Sequence, residues 1–153
     1  AQQGMSLDEI ETILTECRPL SRVFAIAEDL SYLVRGGRLP AWVKKITKAL
    51  HISPIITAKN GRFGLAGITP GTGAKPAALG KAALRRMRRD STYRILIAHG
   101  ANPEGARELR RYILGRHTRV HSCHITEAGP ALGVHLGPGG LVVGFLPQPA
   151  QLN

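Results

Sequence analysis

The sequence predicts an α/β (α+β) fold, a two-layer sandwich whose mixed six-stranded sheet carries helices mainly on one face. Residues 53–67 read as two strands around Asn60-Gly61, a dipeptide typical of the tight turn in an antiparallel hairpin. Residues 93–126 read as strand, helix and strand, and a helical crossover allows parallel pairing. The helices are amphipathic on one side only, as expected for helices that pack on a sheet. About six strands and five helices are predicted.

The first third of the chain alternates helices with one strand. A capping box, Ser6-Leu7-Asp8-Glu9, predicts a helix start, and Gly36-Gly37 predicts a helix end. Pro40 suits the first turn of a further helix. The predicted elements are a helix from Leu7 to Cys17, a strand at 22–27, a short helix at 28–35 and a helix at 41–50.

The central part begins with the hairpin and continues through a connector. Pro70-Gly71-Thr72-Gly73 lacks the ending of a phosphate-binding loop, so we interpret it as a connecting turn. Asn102 followed by Pro103 predicts a capped helix start. The predicted elements are a helix at 77–89, a strand at 93–99, a helix from Pro103 to Leu114 stopped by Gly115, and a strand at 120–126.

The stretch from Gly133 to Gly140 is dense in glycine and carries a single histidine, His135. Glycines allow a backbone to take positive φ angles and to approach a ligand closely, and Pro138 stiffens the turn. Residues 141–145 then read as a buried strand, so the histidine is predicted in a loop next to a sheet, a common place for a binding site. A core histidine with satisfied hydrogen bonds is the alternative.

The net charge of +11 favours an acidic partner, such as a nucleic acid, an anionic membrane surface or a phosphorylated ligand. The basic run Arg85–Arg89 is interpreted as a solvated helix face, because no RNA-binding or helix-turn-helix motif accompanies it and no specific nucleic acid is expected. No apolar run is long enough for a transmembrane segment. With no signal segment after Ala1, we expect one domain, residues 1–153, excised from a longer protein.

The cysteines and histidines do not predict a metal site or a disulfide. Cys17 and Cys123 are far apart, which favours reduced thiols in a cytoplasmic protein. On a strand, His121 and Cys123 share one face while His124 points away, so a half-buried edge strand explains them better than zinc. No nucleophile or acid pair lies near His135 in the sequence, and no cofactor is expected.

Four motifs in order resemble the carboxy-terminal domain of the DegV family. They are Leu30-Ser31-Tyr32-Leu33-Val34-Arg35-Gly36-Gly37-Arg38, the hairpin from Ile52 through Asn60-Gly61, Ala98-His99-Gly100-Ala101-Asn102-Pro103-Glu104, and the His-x-Gly-Pro-Gly segment from His135 to Gly139. The resemblance covers Leu7 to Phe145.

This resemblance implies a fatty-acid-binding protein rather than an enzyme. A long-chain fatty acid would lie between this domain and an amino-terminal DegV domain of Rossmann type, whose hydroxyl residues would hold the carboxylate together with His135. The implied ligand-binding residues are His135, Gly137, Gly139, Gly37 and Arg38, with Arg38 near the carboxylate that a partner fatty-acid kinase would phosphorylate. A carboxylate beside an apolar tunnel needs charge-assisted hydrogen bonds. For Arg38, a solvated charge at a helix end is the alternative.

Two positions depart from the DegV pattern. Ser53 stands where members of the family usually carry a lysine before the proline, and Gly67-Ile68-Thr69-Pro70 replaces a segment with a Val-Arg pair. The arginine belongs to a region that the family uses near the headgroup. We therefore expect the fold and ligand class to be retained more firmly than the kinase partner, with a basic domain for nucleic acid or another anionic partner as the alternative function.

Overall fold

A computed structural model describes residues 4–59, 62–71 and 74–148. Within them the helices are α1 (Leu7–Cys17), α2 (Ser31–Arg35), α3 (Ala41–Ala49), α4 (Lys75–Leu84), α5 (Pro103–Leu114) and α6 (Pro130–Leu136). The strands are β1 (Arg22–Ile26), β2 (Ile52–Lys59), β3 (Arg62–Pro70), β4 (Tyr93–His99), β5 (Val120–Glu127) and β6 (Leu141–Pro147).

The six strands form one mixed sheet in the order β3-β2-β1-β6-β4-β5. Neighbouring strands are antiparallel except β4 and β5, which the crossover helix α5 makes parallel. The last strand, β6, lies in the centre between β1 and β4. The predicted α/β class, the hairpin pairing and the mixed sheet are confirmed, while Asn60-Gly61 itself lies outside the described residues.

One face of the sheet is covered by α4 and α5, the helices around which the main core forms. Leu79, Ile97, Leu109, Ile113 and Val143 are completely buried there. The buried positions of α5 recur at the spacing of one helix face, which is why this helix packs flat on the sheet. Burying side chains of this size stabilises the fold by roughly 1.5 to 3 kcal/mol each.

The opposite face is only partly covered, at one end, by α2 and α6. Leu33 of α2 packs with Ile56, and Leu136 of α6 packs with Ala98 and Val142. Strand residues further along this face are exposed, including Leu96 at 51%. The sheet therefore has one closed face and one open face.

Several predicted boundaries were wrong. α2 begins at Ser31 instead of residue 28, because Asp29 forms a turn that accepts hydrogen bonds from the Ser31 backbone and hydroxyl at 2.8 and 2.6 Å. α4 ends at Leu84, so the basic run Arg85–Arg89 follows the helix. β3 continues through Pro70, which was predicted to start a loop.

The largest correction concerns His135, which was predicted in a glycine-rich loop. It lies in the last turn of α6, a helix that begins with Pro130 in the first turn and ends where Gly137 adopts a φ of 70°. Gly133 lowers the helix propensity of this segment, which is why the sequence favoured a loop. Tertiary packing of Leu136 against the sheet outweighs that propensity.

Candidate functional site

The candidate site lies where the end of α6 meets the end of α2. There the imidazole of His135 lies directly over the backbone of Gly36: a Cβ atom on Gly36 would be 2.0 Å from Nδ1 and 2.6 Å from Cε1 of His135. No side chain at position 36 could coexist with that ring position. The first glycine of the Gly36-Gly37 pair therefore provides the space that the histidine occupies.

The imidazole of His135 has no hydrogen-bond partner among the described residues, and its Nδ1 is buried. Buried polar atoms in native proteins are nearly always paired, and an unpaired one costs roughly 1 to 3 kcal/mol. The satisfied core histidine considered from the sequence is therefore not what the structure contains. The ring is held in place by this packing, and its other nitrogen, Nε2, is not buried and makes no hydrogen bond within the described residues, so Nε2 is the atom suited to bind a ligand.

The turn after α2 places Arg38 beside the same glycine. Gly37 takes a φ of 68°, its N–H donates to the Val34 carbonyl at 3.0 Å, and the Arg38 N–H donates to the Leu33 carbonyl at 2.8 Å. This is the Schellman arrangement, which needs glycine at position 37 and confirms the predicted helix end. The guanidinium of Arg38 folds back and donates to the Gly36 carbonyl at 2.8 Å. Arg38 is exposed, which also agrees with the alternative of a solvated charge at the helix end. Its part in ligand binding therefore stays a prediction.

Gly137 and Gly139 shape the segment that follows α6. Their φ angles are 70° and 80°, which residues with side chains rarely adopt. A Cβ on Gly137 would also lie 2.5 Å from the Tyr32 ring, and one on Gly139 would lie 2.9 Å from Cβ of Glu28. Both glycines are thus required by the backbone path and the close packing on α2 and the β1–α2 turn, and direct ligand contact by either stays a prediction.

The segment after β4 holds the His135 segment in place through its backbone. Gly100 donates its N–H to the Gly140 carbonyl at 3.0 Å and accepts from the Gly139 N–H at 2.7 Å. The side chain of Asn102 donates to the Gly139 carbonyl at 2.8 Å. A Cβ on Gly100 would be 2.2 Å from the Gly137 oxygen, so this contact also requires glycine. The folded chain thereby joins two of the motifs found in the sequence, 98–104 and 135–139.

An apolar strip crosses the open face of the sheet below α6. Directly paired residues of neighbouring strands point to the same face, so the register identifies its members. The strip comprises Ile56, Ala25, Val142 and Ala98 in one row and Ala58, Val23, Gly144 and Leu96 in the next. Most of these side chains are small, and Leu136 of α6 packs on the first row. The strip therefore begins beneath the helix that carries His135.

The strip continues into a cavity of about 460 Å³ on the open face. Gly144 lies at its floor, since a Cβ there would meet only the Arg22 carbonyl at 3.9 Å. Leu96 and Leu146 line its apolar part, and Arg94 is a polar residue at its border. From Val142 to Leu146 the strip extends roughly 14 Å along β6, at about 3.4 Å per residue.

Two residues of the site were not predicted from the sequence, although each left a signal. A Schellman turn needs only one glycine, here Gly37, so the additional glycine at position 36 indicated a close approach by another group. Asn102 was predicted only as a helix cap. A cap requires an acceptor alone, whereas asparagine also brings an amide donor, and that donor is the group bound to Gly139.

No group of three or more His, Cys, Asp or Glu side chains suited to a metal occurs in the described part of the chain. β5 is an edge strand, as expected, and burial raises the pKa of the Cys123 thiol there, while nearby Arg110 opposes the rise. Both cysteines are free. The side chains of Arg85, Arg86, Arg88 and Arg89 are exposed, in agreement with a solvated basic surface.

No helix within residues 4–59, 62–71 and 74–148 has the length and apolar character needed to cross a membrane.

Comparison with known structures places the fold among proteins of one family. A fatty-acid-binding DegV family protein from Thermus thermophilus superimposes with a TM-score of 0.84 at 23% identity, over 96% of this chain and 52% of its own. A DegV family protein from Eubacterium eligens, loaded with heptadecanoic acid, superimposes with a TM-score of 0.80 at 21% identity. The match covers 96% of this chain and 52% of that protein. At such identities the likeness shows a shared fold.

Comparison of sequences extends this result. DegV domain-containing proteins of Streptococcus pneumoniae and Streptomyces coelicolor are each 28% identical over 149 residues, which are 95% and 94% of this chain and 51% of each relative. The chain thus spans about half the length of the curated relatives it matches. The model of the DegV family, described as a family of uncharacterised proteins, matches residues 1–148. The chain belongs to the DegV family.

Proposed function

We propose that this chain is the carboxy-terminal, fatty-acid-binding half of a two-domain DegV protein. The observation that carries the proposal is the position of His135, an imidazole without a partner among residues 4–59, 62–71 and 74–148, at the head of an apolar strip. A long-chain fatty acid has the same two parts, a carboxylate and an apolar tail. The neighbours from Thermus thermophilus and Eubacterium eligens, described as fatty-acid-binding and as loaded with heptadecanoic acid, support this ligand class.

In this proposal the carboxylate accepts a hydrogen bond from the imidazole of His135. A hydrogen bond to a charged group is worth about 1.5 to 3 kcal/mol, more than a neutral one, and it offsets part of the desolvation of the carboxylate. The ring is held over Gly36 before ligand arrives, so little ordering is required on binding. Arg38 lies next to Gly36 and adds positive charge on the solvent side of the headgroup.

The acyl chain lies along the apolar strip below α6. The small alanine and valine side chains, and the absence of a side chain at Gly144, leave room for the acyl chain between the helix-covered end of the sheet and the cavity. Each methylene group removed from water contributes roughly 0.8 kcal/mol. The open face covers only one side of the chain, so a second surface is needed to exclude water from the other.

The second surface would be an amino-terminal DegV domain of the same protein. The chain corresponds to about half of its relatives, and apolar side chains such as Leu65, Leu96 and Val134 are more than half exposed around the strip. Hydroxyl residues of that domain would complete the carboxylate site, as the family resemblance implies. A fatty-acid kinase is the further partner in this proposal, with Arg38 placed near the group to be phosphorylated.

Calorimetric titration of the full gene product with palmitate and with methyl palmitate tests the proposal. We expect stoichiometric binding of palmitate, weakened by about 1.5 to 3 kcal/mol in His135→Ala, with the ester unaffected by the substitution. Melting curves of both proteins control for folding. Wild-type protein that releases no acyl chain on extraction and does not bind added palmitate would overturn the function, and unchanged palmitate affinity in His135→Ala would remove His135 from the site.

A further inference from the structure

The side chain of Asn102 makes two hydrogen bonds that serve different parts of the structure. Its Oδ1 accepts from the Gly105 N–H at 3.0 Å and caps α5. Its Nδ2 donates to the carbonyl of Gly139, 37 residues away, at 2.8 Å. The first bond is local and any good helix cap would make it, whereas the second crosses to the segment that follows His135.

The surroundings leave Asn102 little freedom to make any other pair of bonds. A Cβ atom on Gly105 would lie 2.6 Å from Nδ2 and 2.8 Å from Oδ1 of Asn102, so the amide is packed against a glycine. Its own backbone N–H is bound to Nδ1 of the buried His99 at 3.3 Å. The residue before it, Ala101, has a φ of 48°, which is unusual for a residue with a side chain.

The Gly139 carbonyl accepts its hydrogen bond from Asn102 in a segment that depends on tertiary contacts for its position. The Gly139 N–H is bound to Gly100, and α6 is only seven residues long, too short to be stable by itself. Its end is therefore fixed by the packing of Leu136 on the sheet, by the close packing of Gly137 on Tyr32, and by the hydrogen bonds from residues 100 to 102. Without the Asn102 bond the Gly139 carbonyl loses its side-chain donor, and we expect the end of α6, with His135, to shift relative to Gly36.

We propose that Asn102 is a positioning residue for the fatty-acid carboxylate: by holding the Gly139 carbonyl it keeps the His135 imidazole in its ligand-binding position. The inference rests on the proposed function for its ligand, while the structural coupling between Asn102 and the His135 segment can be tested without ligand. Asn102 itself does not contact the carboxylate in this assignment.

Two substitutions separate the two bonds of Asn102. Asn102→Asp keeps the size of the side chain and the acceptor for the Gly105 N–H, but it replaces the donor to Gly139 with a second acceptor. Asn102→Ser also keeps a good cap and is neutral, and its shorter side chain does not reach the Gly139 carbonyl. An effect common to both variants is therefore due to the lost donor rather than to added charge or to a lost helix cap.

The first measurement is binding of palmitate and methyl palmitate by the full gene product. We expect both variants to bind palmitate roughly fivefold to tenfold more weakly, the range that a single hydrogen bond gives, and to bind the ester as the wild type does. If Asn102 had only a structural role, its substitution would weaken the binding of palmitate and of methyl palmitate equally. Equal losses for acid and ester, or unchanged affinity for both, would overturn the proposal.

The second measurement is hydrogen exchange at the backbone amides of Gly139 and Gly140, together with the NMR signals of the His135 ring. We expect faster exchange at both amides and shifted ring signals in both variants, with the amides of β4 unchanged. If the amide exchange rates and the ring signals of both variants equal those of the wild type, the proposed coupling between Asn102 and the His135 segment is overturned, even if palmitate binds. If the wild type binds no fatty acid, the proposed function fails, and the exchange result still decides whether Asn102 positions His135.

Discussion

The imidazole of His135 packs so closely on Gly36 that one added methyl group is expected to displace it. In Gly36→Ala the new Cβ would start 2.0 Å from Nδ1, whereas ordinary contacts of this kind exceed 3 Å, so the ring must move by more than 1 Å. The backbone itself accepts alanine, since Gly36 has a φ of −77°. The substitution thus acts on the position of the histidine more than on the helix.

The expected cost in binding follows from that displacement. A hydrogen bond between His135 and the carboxylate is worth about 1.5 to 3 kcal/mol, and a shift of more than 1 Å removes most of it. We therefore expect Gly36→Ala to bind palmitate about 10-fold to 100-fold more weakly in a calorimetric titration. Binding of methyl palmitate should change far less, because the ester does not depend on the charge-assisted bond.

Gly37→Ala is the matched control because it makes the same chemical change at the next residue. A Cβ at position 37 would contact nothing within 4 Å, but the φ of 68° strains any residue other than glycine by roughly 1 to 2 kcal/mol. We expect a lower melting temperature and a smaller loss of palmitate affinity than in Gly36→Ala, because the His135 ring is not displaced. The reasoning is refuted if Gly36→Ala binds palmitate as tightly as the wild type, or if the two variants lose affinity equally.

Three further outcomes are expected. Gly144→Leu should occupy the cavity on the open face and weaken palmitate binding about tenfold, because it displaces about two methylene groups at roughly 0.8 kcal/mol each, whereas Gly64→Leu, at an exposed strand glycine outside the strip, should leave binding unchanged. Arg38→Ala should reduce palmitate affinity less than His135→Ala, but should slow phosphoryl transfer by a partner kinase more, as rate assays of the two variants would show. Arg88 holds the pKa of the Asp90 carboxyl at about 2; this lowered pKa contributes stability that is present above the ordinary value of 3.8 and is lost as the pH falls towards 2. An NMR titration of Arg88→Met should move the Asp90 midpoint back towards 3.8.

Local chemistry was sufficient for the elements whose signals lie within a few residues of one another. The capping box at Ser6 and Glu9 forms as predicted, with Ser6 N–H bound to the Glu9 carboxylate at 2.7 Å. Asn102 caps α5, and Gly37 ends α2. In each case the stabilising partner is at most five positions away along the chain. The order of such elements was also enough to predict a mixed sheet, because hairpin and crossover connections restrict the direction of their strands.

The site depended on contacts between residues distant in sequence, and only the tertiary structure fixed those. Gly133 and the glycines that follow Leu136 favour a loop locally, yet burial of Leu136 against Val142 makes the segment helical and places His135 on its last turn. Insertion of β6 between β1 and β4 then aligns the small residues of the apolar strip. Gly37 serves a turn, whereas Gly36 makes room for another side chain. The difference depends on which group packs on each glycine, and that group reaches its position only when the sheet has assembled.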